Sequence, residues 1–224
     1  VRQNSCRLGQ TNAGNHRESG GQQLRRGGPP DKVRAVKRPT EQLSQSPELL
    51  APAGDWDCLR AAVENGADAE YLGLDAGFTA RARATNFHLQ NVHEIMEFLH
   101  RRGVVGYITL NTLAFTDELP RLEVVIRQLA TAQVDAVLVQ DLGVARLVKR
   151  VCPDLGLHAS TQMTLTSGEC IAAAEDLGIE RVVLPRELSI EEIRRVRSVT
   201  EMPLETFVHG ALCVAYSGQC LTSE

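Results

Sequence analysis

From Glu48 to Val208 short apolar runs alternate with stretches whose apolar residues recur every three or four positions. This is the pattern of repeated βα units around a parallel sheet, because a strand covered on both faces reads as a continuous apolar run and its helix as a stripe. The runs predict seven strands, at Glu48–Ala51, Glu70–Leu74, Val104–Leu110, Ala136–Gln140, Leu157–Ser160, Arg181–Leu184 and Leu204–Val208. Between them, Leu59, Ala62 and Val63 form a stripe behind a candidate N-cap, Asp55, and Val92, Ile95, Met96 and Leu99 form one behind Asn91. Both stripes end at a glycine, Gly66 and Gly103, as helices commonly do. A third stripe runs through Leu122, Val125, Ile126 and Leu129, and Ser189 with Glu192 has the spacing of a capping box ahead of Ile193 and Val196.

Seven such units without a Gly-x-Gly-x-x-Gly turn favour a barrel over a dinucleotide-binding open sheet. The expected fold is α/β, a (β/α)8 TIM-barrel-like domain at 47–224 that is incomplete at its C-terminus. The first and seventh strands should then be open edges, with an eighth strand expected beyond Glu224. Glu70 breaks the pattern, since it puts an acid inside an apolar run. It should point to the rim, find a partner, or mark an error in the sequence.

Residues 1–46 show no apolar periodicity and are rich in Gly, Gln, Arg and Asn, which predicts a disordered basic tail. Nine Lys/Arg stand against three Asp/Glu in residues 1–47, and fifteen against twenty-five in the rest. An Arg-rich, acid-poor segment has the composition of an organelle transit peptide, although it lacks an amphipathic face and is sparse in Ser and Thr. The chain starts at Val1 and its first Met is Met96, so it reads as part of a longer product. The acidic domain argues against a broad nucleic-acid face, while Arg81, Arg83, Arg101 and Arg102 offer a local patch for phosphates. No apolar run is long enough to span a bilayer. Six cysteines without regular disulfide spacing or a secretory signal suggest a reducing, intracellular compartment, cytoplasmic or an organelle stroma.

In a barrel the active site lies at the carboxyl ends of the strands. The exits here are polar: Asp55, Asn111, Gln140, Asp141, His158 to Gln162, Arg186, Glu187 and His209. They suit a small oxygen-rich ligand, with Arg186 able to hold a carboxylate bidentately, whereas Asp55 and Asn111 are expected to cap the next helices. His209 at a strand exit is a candidate acid or base, as is His158. Cys213 and Cys220, seven apart with Gly218 between them, can aim two thiolates at one centre, which is half of a tetrahedral sulfur site. A thiol nucleophile at Cys213, with His209 as base and Glu205 orienting it, is the competing arrangement. Cys58 and Cys170 lie in helical patterns and are expected to be buried, and Cys6 and Cys152 to be incidental.

The run Glu205-x-Phe207-x-x-Gly210-Ala211-Leu212-Cys213, then Gly218-x-Cys220 and Ser223, resembles the signature of the peptidase U32 family. Pro47 to Gly54, Asn65 to Asp68 and Phe78 to Phe87 are similar to that family's N-terminal half, while Thr222 stands where an aliphatic residue is usual. The resemblance implies a barrel-like domain and several activities. Some members are called collagenase-like proteases acting on peptides. Others hydroxylate a tRNA uridine or an rRNA cytidine, carry a 4Fe-4S cluster on four cysteines, of which Cys213 and Cys220 match two, and have prephenate implicated as a requirement. A further branch serves ubiquinone hydroxylation. The expected function is therefore RNA-base hydroxylation with structured tRNA or rRNA as partner, in the cytoplasm or in a plastid such as the chloroplast. A peptidase or a non-catalytic scaffold is the alternative, and Glu205, Arg186 and His209 are the expected catalytic residues.

Overall fold

The computed structural model describes residues 46–80, 85–210, 213 and 215–219. The tail expected at 1–46, apart from Ser46, lies outside the described residues, as do Cys6, Arg81, Arg83 and Cys220.

The predicted alternation is present. Strands β1 (Leu50–Ala53), β2 (Ala69–Leu72), β3 (Val105–Leu110), β4 (Ala136–Val139), β5 (Gly156–Ala159), β6 (Arg181–Val183) and β7 (Leu204–Glu205) form one parallel sheet in chain order. The helices are α1 (Trp56–Glu64), α2 (Val92–His100), α3 (Leu119–Thr131), α4 (Leu142–Val151), α5 (Gly168–Glu175) and α6 (Ile190–Val199). Asp55 caps α1 by accepting the Cys58 N–H at 2.8 Å, and the Ser189–Glu192 capping box on α6 is complete. Gly66 ends α1 with φ +94, a left-handed conformation that glycine adopts without a Cβ clash. Asp141 caps α4, a helix the sequence pattern had not separated out.

Strand register sorts the side chains onto two faces. Leu72, Ile108, Leu110, Val137, Val139, Leu157 and Val182 join Leu59, Ile95, Leu99, Ile126, Leu129, Val148 and Ile171 of the helices in the main core. The opposite face carries Ala69, Tyr107, Ala136, Leu138 and Val183 in a smaller cluster. That face is concave. Arg181 on β6 bonds Glu48, which precedes β1, and Tyr107 Oη on β3 donates to the same carboxylate at 3.2 Å. In a flat sheet, β1 and β6 would be about 24 Å apart at five strand spacings, so these bonds require the sheet to curl into a TIM-barrel-like wall.

Glu70 departs from two of the three expectations. It is fully buried and lies on the helix-facing side, beside Gly106, where a Cβ would overlap Met96. Neither of its carboxyl oxygens has a hydrogen-bond partner among the described residues, and burial pushes it up to about 8. Among the described residues no helix is long and apolar enough to cross a membrane.

Candidate functional site at the strand exits

A hollow of about 190 Å³ opens at the carboxyl ends of the strands and draws its walls from β2, β3, β4, β6 and β7 and from exit loops, that after β5 included. Larger hollows, of about 370 and 520 Å³, lie on the outside, beside His93 and Arg127 and beside Lys149 and Glu180. The smaller one is the candidate site, because the convergent polar exits of a barrel meet there.

One wall is tied by short side chains. Thr109 on β3 donates to the Leu72 carbonyl at 3.1 Å, and its oxygen lies 2.8 Å from that of Thr79. Asn111 is not the helix cap expected from sequence. It is 8% exposed, accepts the Ala80 N–H at 3.0 Å and donates to Ser160 Oγ at 3.2 Å, joining three exits. Next to Ser160 stands Gln162, whose Oε1 is buried without a partner among the described residues.

The opposite wall carries the predicted chemistry. The Arg186 guanidinium lies 4.1 Å from the ring centre of Phe207. Glu187 accepts both the N–H and the Oγ–H of Ser217, pinning the loop after β7 to the exit of β6. Burial opposes ionisation of Glu187, but the two Ser217 bonds outweigh it and hold the carboxyl below its usual range. Gly218 lets this loop close, since a Cβ there would overlap Thr164 Oγ1 and stand 3.1 Å from the Gln162 carbonyl. Cys213 reaches the hollow from the same loop, is exposed, and donates its S–H to the Ala215 carbonyl at 3.4 Å.

Beneath the hollow is a layer of polar side chains. Arg181 grips Glu48 with both Nη atoms, the Nη2 bond being 3.1 Å, and its guanidinium lies 5.5 Å from the Tyr107 ring centre. Tyr107 meets His158 edge-on at 4.8 Å. His158 therefore faces the barrel interior, not the exit, and burial, with Arg181 and Lys149 nearby, lowers it to about 3, so it is neutral at ordinary pH. Glu205 stands between this layer and the hollow, its Oε2 3.8 Å from Arg181 and without a hydrogen bond among the described residues. Burial lifts its carboxyl to about 7, against the lowering pull of Arg181 and with help from Glu48.

The structure thus gathers Glu205, Arg186 and Cys213 around one hollow, while His209 is exposed and does not line it. Cys58 and Cys170, expected to be buried, are exposed on α1 and α5, because each falls on the solvent side of its helix. Arg101 and Arg102 close α2 at the end of the layer away from the strand exits, Arg101 pairing with Glu97 and Arg102 packing over Phe98. Sequence reasoning missed the Glu48–Arg181–Tyr107 layer. Its signal was positional: Tyr107, His158 and Arg181 take inward places once the register is known.

Among the described residues no three His, Cys, Asp or Glu side chains converge as a metal site. Cys213 is the one predicted thiolate ligand among them, so they do not by themselves make a four-ligand cluster site.

The profile described as Peptidase family U32 matches residues 54–224. A tRNA hydroxylation protein P1 of Bacillus subtilis is 35% identical over 194 residues, covering 87% of this chain and 46% of that protein. The 23S rRNA 5-hydroxycytidine C2501 synthase of Escherichia coli is 43% identical over 177 residues, covering 79% of this chain and 26% of that protein. The chain thus spans about half, or a quarter, of the length of these relatives. Among solved structures, the U32 peptidase Mk0906 superposes with a TM-score of 0.61 at 21% identity, covering 74% of this chain and 71% of that one, which supports the barrel-like fold. The chain belongs to peptidase family U32.

Proposed function

We propose that this chain carries the base-binding part of an RNA-hydroxylation protein acting on a pyrimidine of tRNA or rRNA. The observation that carries the reading is that both relatives named for hydroxylating RNA match most of the chain that builds the hollow. The hollow's chemistry agrees with it. Gln162 Oε1 and Glu205 Oε2 are buried acceptors without a hydrogen-bond donor among the described residues, each costing about 1–3 kcal/mol until a ligand N–H arrives, and a base edge supplies such donors. Phe207, 40% exposed, offers a ring on which a base can stack, and Glu205 can give or take a proton near neutral pH. Acting on RNA places the protein inside the cell, in the cytoplasm or an organelle stroma such as that of a plastid.

The proposal includes a 4Fe-4S cluster, with Cys213 and Cys220 as two of its thiolates and the other two supplied by further residues of the full protein. It also includes an acidic co-substrate of the prephenate type, whose carboxylate Arg186 would hold. The peptidase alternative needs Cys213 bonded to a base. Its S–H instead donates to a backbone carbonyl, and the expected base, His209, lies off the hollow.

The test is a mass-spectrometric survey of nucleosides from cells lacking the gene. A hydroxylated pyrimidine should disappear, return with the wild-type gene, and fail to return with Arg186→Ala. An unchanged nucleoside profile rejects the reading.

A further inference from the structure

A guanidinium placed between two carboxylates should serve the one that offers the better fork. Arg181 begins β6 and Glu205 lies on the adjoining β7, opposite Val183, so the two share the concave face. Arg181 gives both Nη atoms to Glu48 and leaves Glu205 Oε2 at 3.8 Å, beyond hydrogen-bond reach. Glu48 is seated for this by the Tyr107 hydroxyl, which donates to it at 3.2 Å. The side chains of Arg181, Glu48 and Glu205 are 21, 34 and 18% exposed, so water does not fully screen the choice.

We infer that Glu48 and Arg181 are a positioning pair for Glu205: Glu48 holds the guanidinium fork on the floor of the hollow, so that the Glu205 carboxyl stays unbonded and open to what enters. Without Glu48 the fork would turn to Glu205, form the bidentate pair that arginine and carboxylate prefer, and draw the carboxyl into the floor. The charged and titratable groups around Glu205 are consistent with this. Arg181 of β6 and Glu48 ahead of β1 act on it from below, with Tyr107 of β3 and neutral His158 of β5 behind them. Arg186 and Cys213 reach the same hollow from the exit loops of β6 and β7. Burial lifts the Glu205 carboxyl to about 7 although a cation stands beside it, and Glu48 adds to the rise.

The inference rests on Glu205 being the working carboxyl of the proposed site, but its test needs no RNA. In protein labelled with 13C-glutamate, the Glu205 carboxyl signal, identified by its loss in Glu205→Gln, is followed against pH. The wild-type midpoint is expected near 7. Glu48→Gln should lower it by about one unit or more, as an opposite charge freed to bond a carboxylate does, and Arg181→Met should raise it. Tyr107→Phe removes a donor that seats Glu48 but no charge. It should lower the midpoint by a smaller step, and it provides the comparison if Glu48→Gln does not fold. A midpoint unmoved in Glu48→Gln, or in Tyr107→Phe where that variant stands in, overturns the inference. So does a wild-type midpoint at the ordinary value of about 4.3. Loss of RNA hydroxylation without any shift in these midpoints would count against the positioning pair alone.

Discussion

Ser217 gives its hydroxyl to Glu187 at 2.8 Å and its backbone N–H to the same carboxylate, so two bonds from one residue fix the loop that carries Cys213. A hydrogen bond to a charged group contributes about 1.5–3 kcal/mol. Glu187→Ala is therefore expected to speed hydrogen exchange at the Ser217 amide by about tenfold or more, with the α2 amides unchanged. Because Glu187 titrates below its usual range, this anchoring is present above about pH 4.3 and is lost as pH falls through the lower folded value. Equal exchange in wild type and variant would show that the loop is held by other contacts.

Glu70 supplies a prediction of opposite sign. Its carboxyl is raised to about 8 by burial, so the folded state favours the neutral form. The Glu70 contribution to stability is then most favourable below about pH 4.3 and falls as pH rises towards 8, by about 1.4 kcal/mol per unit. Glu205 contributes a decline in the same direction up to about 7, so the readout is the difference between wild type and Glu70→Gln. That variant should be more stable at pH 8 by on the order of a few kcal/mol and indistinguishable near pH 4. Denaturant midpoints at the two pH values check this, and a constant gap between the proteins would refute it.

The thiols separate cleanly by position. Cys58 and Cys170 face solvent in the first turns of α1 and α5 and do not line the hollow, whereas Cys213 does. In the full-length protein Cys213→Ser should abolish bound iron and the broad visible absorption of a cluster, while Cys58→Ser and Cys170→Ser retain both. Equal iron in all three variants would remove Cys213 as a ligand.

The strands were legible because most are covered on both faces, as Ala136–Val139 shows by being buried at every position. β1 begins and ends two residues later than the predicted Glu48–Ala51, and so includes Pro52. The proline is tolerated here in a strand with one neighbour, where a lost N–H need not break a ladder. β7 was drawn too long, since Phe207 and Val208 continue the apolar run but leave the sheet, Phe207 for Arg186 and Val208 for solvent at 89% exposure. Cys213, Arg186 and Glu205 could be picked from the sequence because their residue types and strand-exit positions coincide. The floor of Glu48, Arg181 and Tyr107 could not, because it joins residues 133 apart and appears only when the sheet curls.

The order of the strands in the sheet is the order of the strands in the chain. Each βα unit therefore finds its docking edge already made by the unit before it, so the wall can grow from its N-terminal end while the ribosome is still adding residues. The Glu48 carboxylate must wait for β6 before it meets the Arg181 guanidinium. Completion of the floor is in this sense a late checkpoint in biosynthesis, reached only after five units are in place.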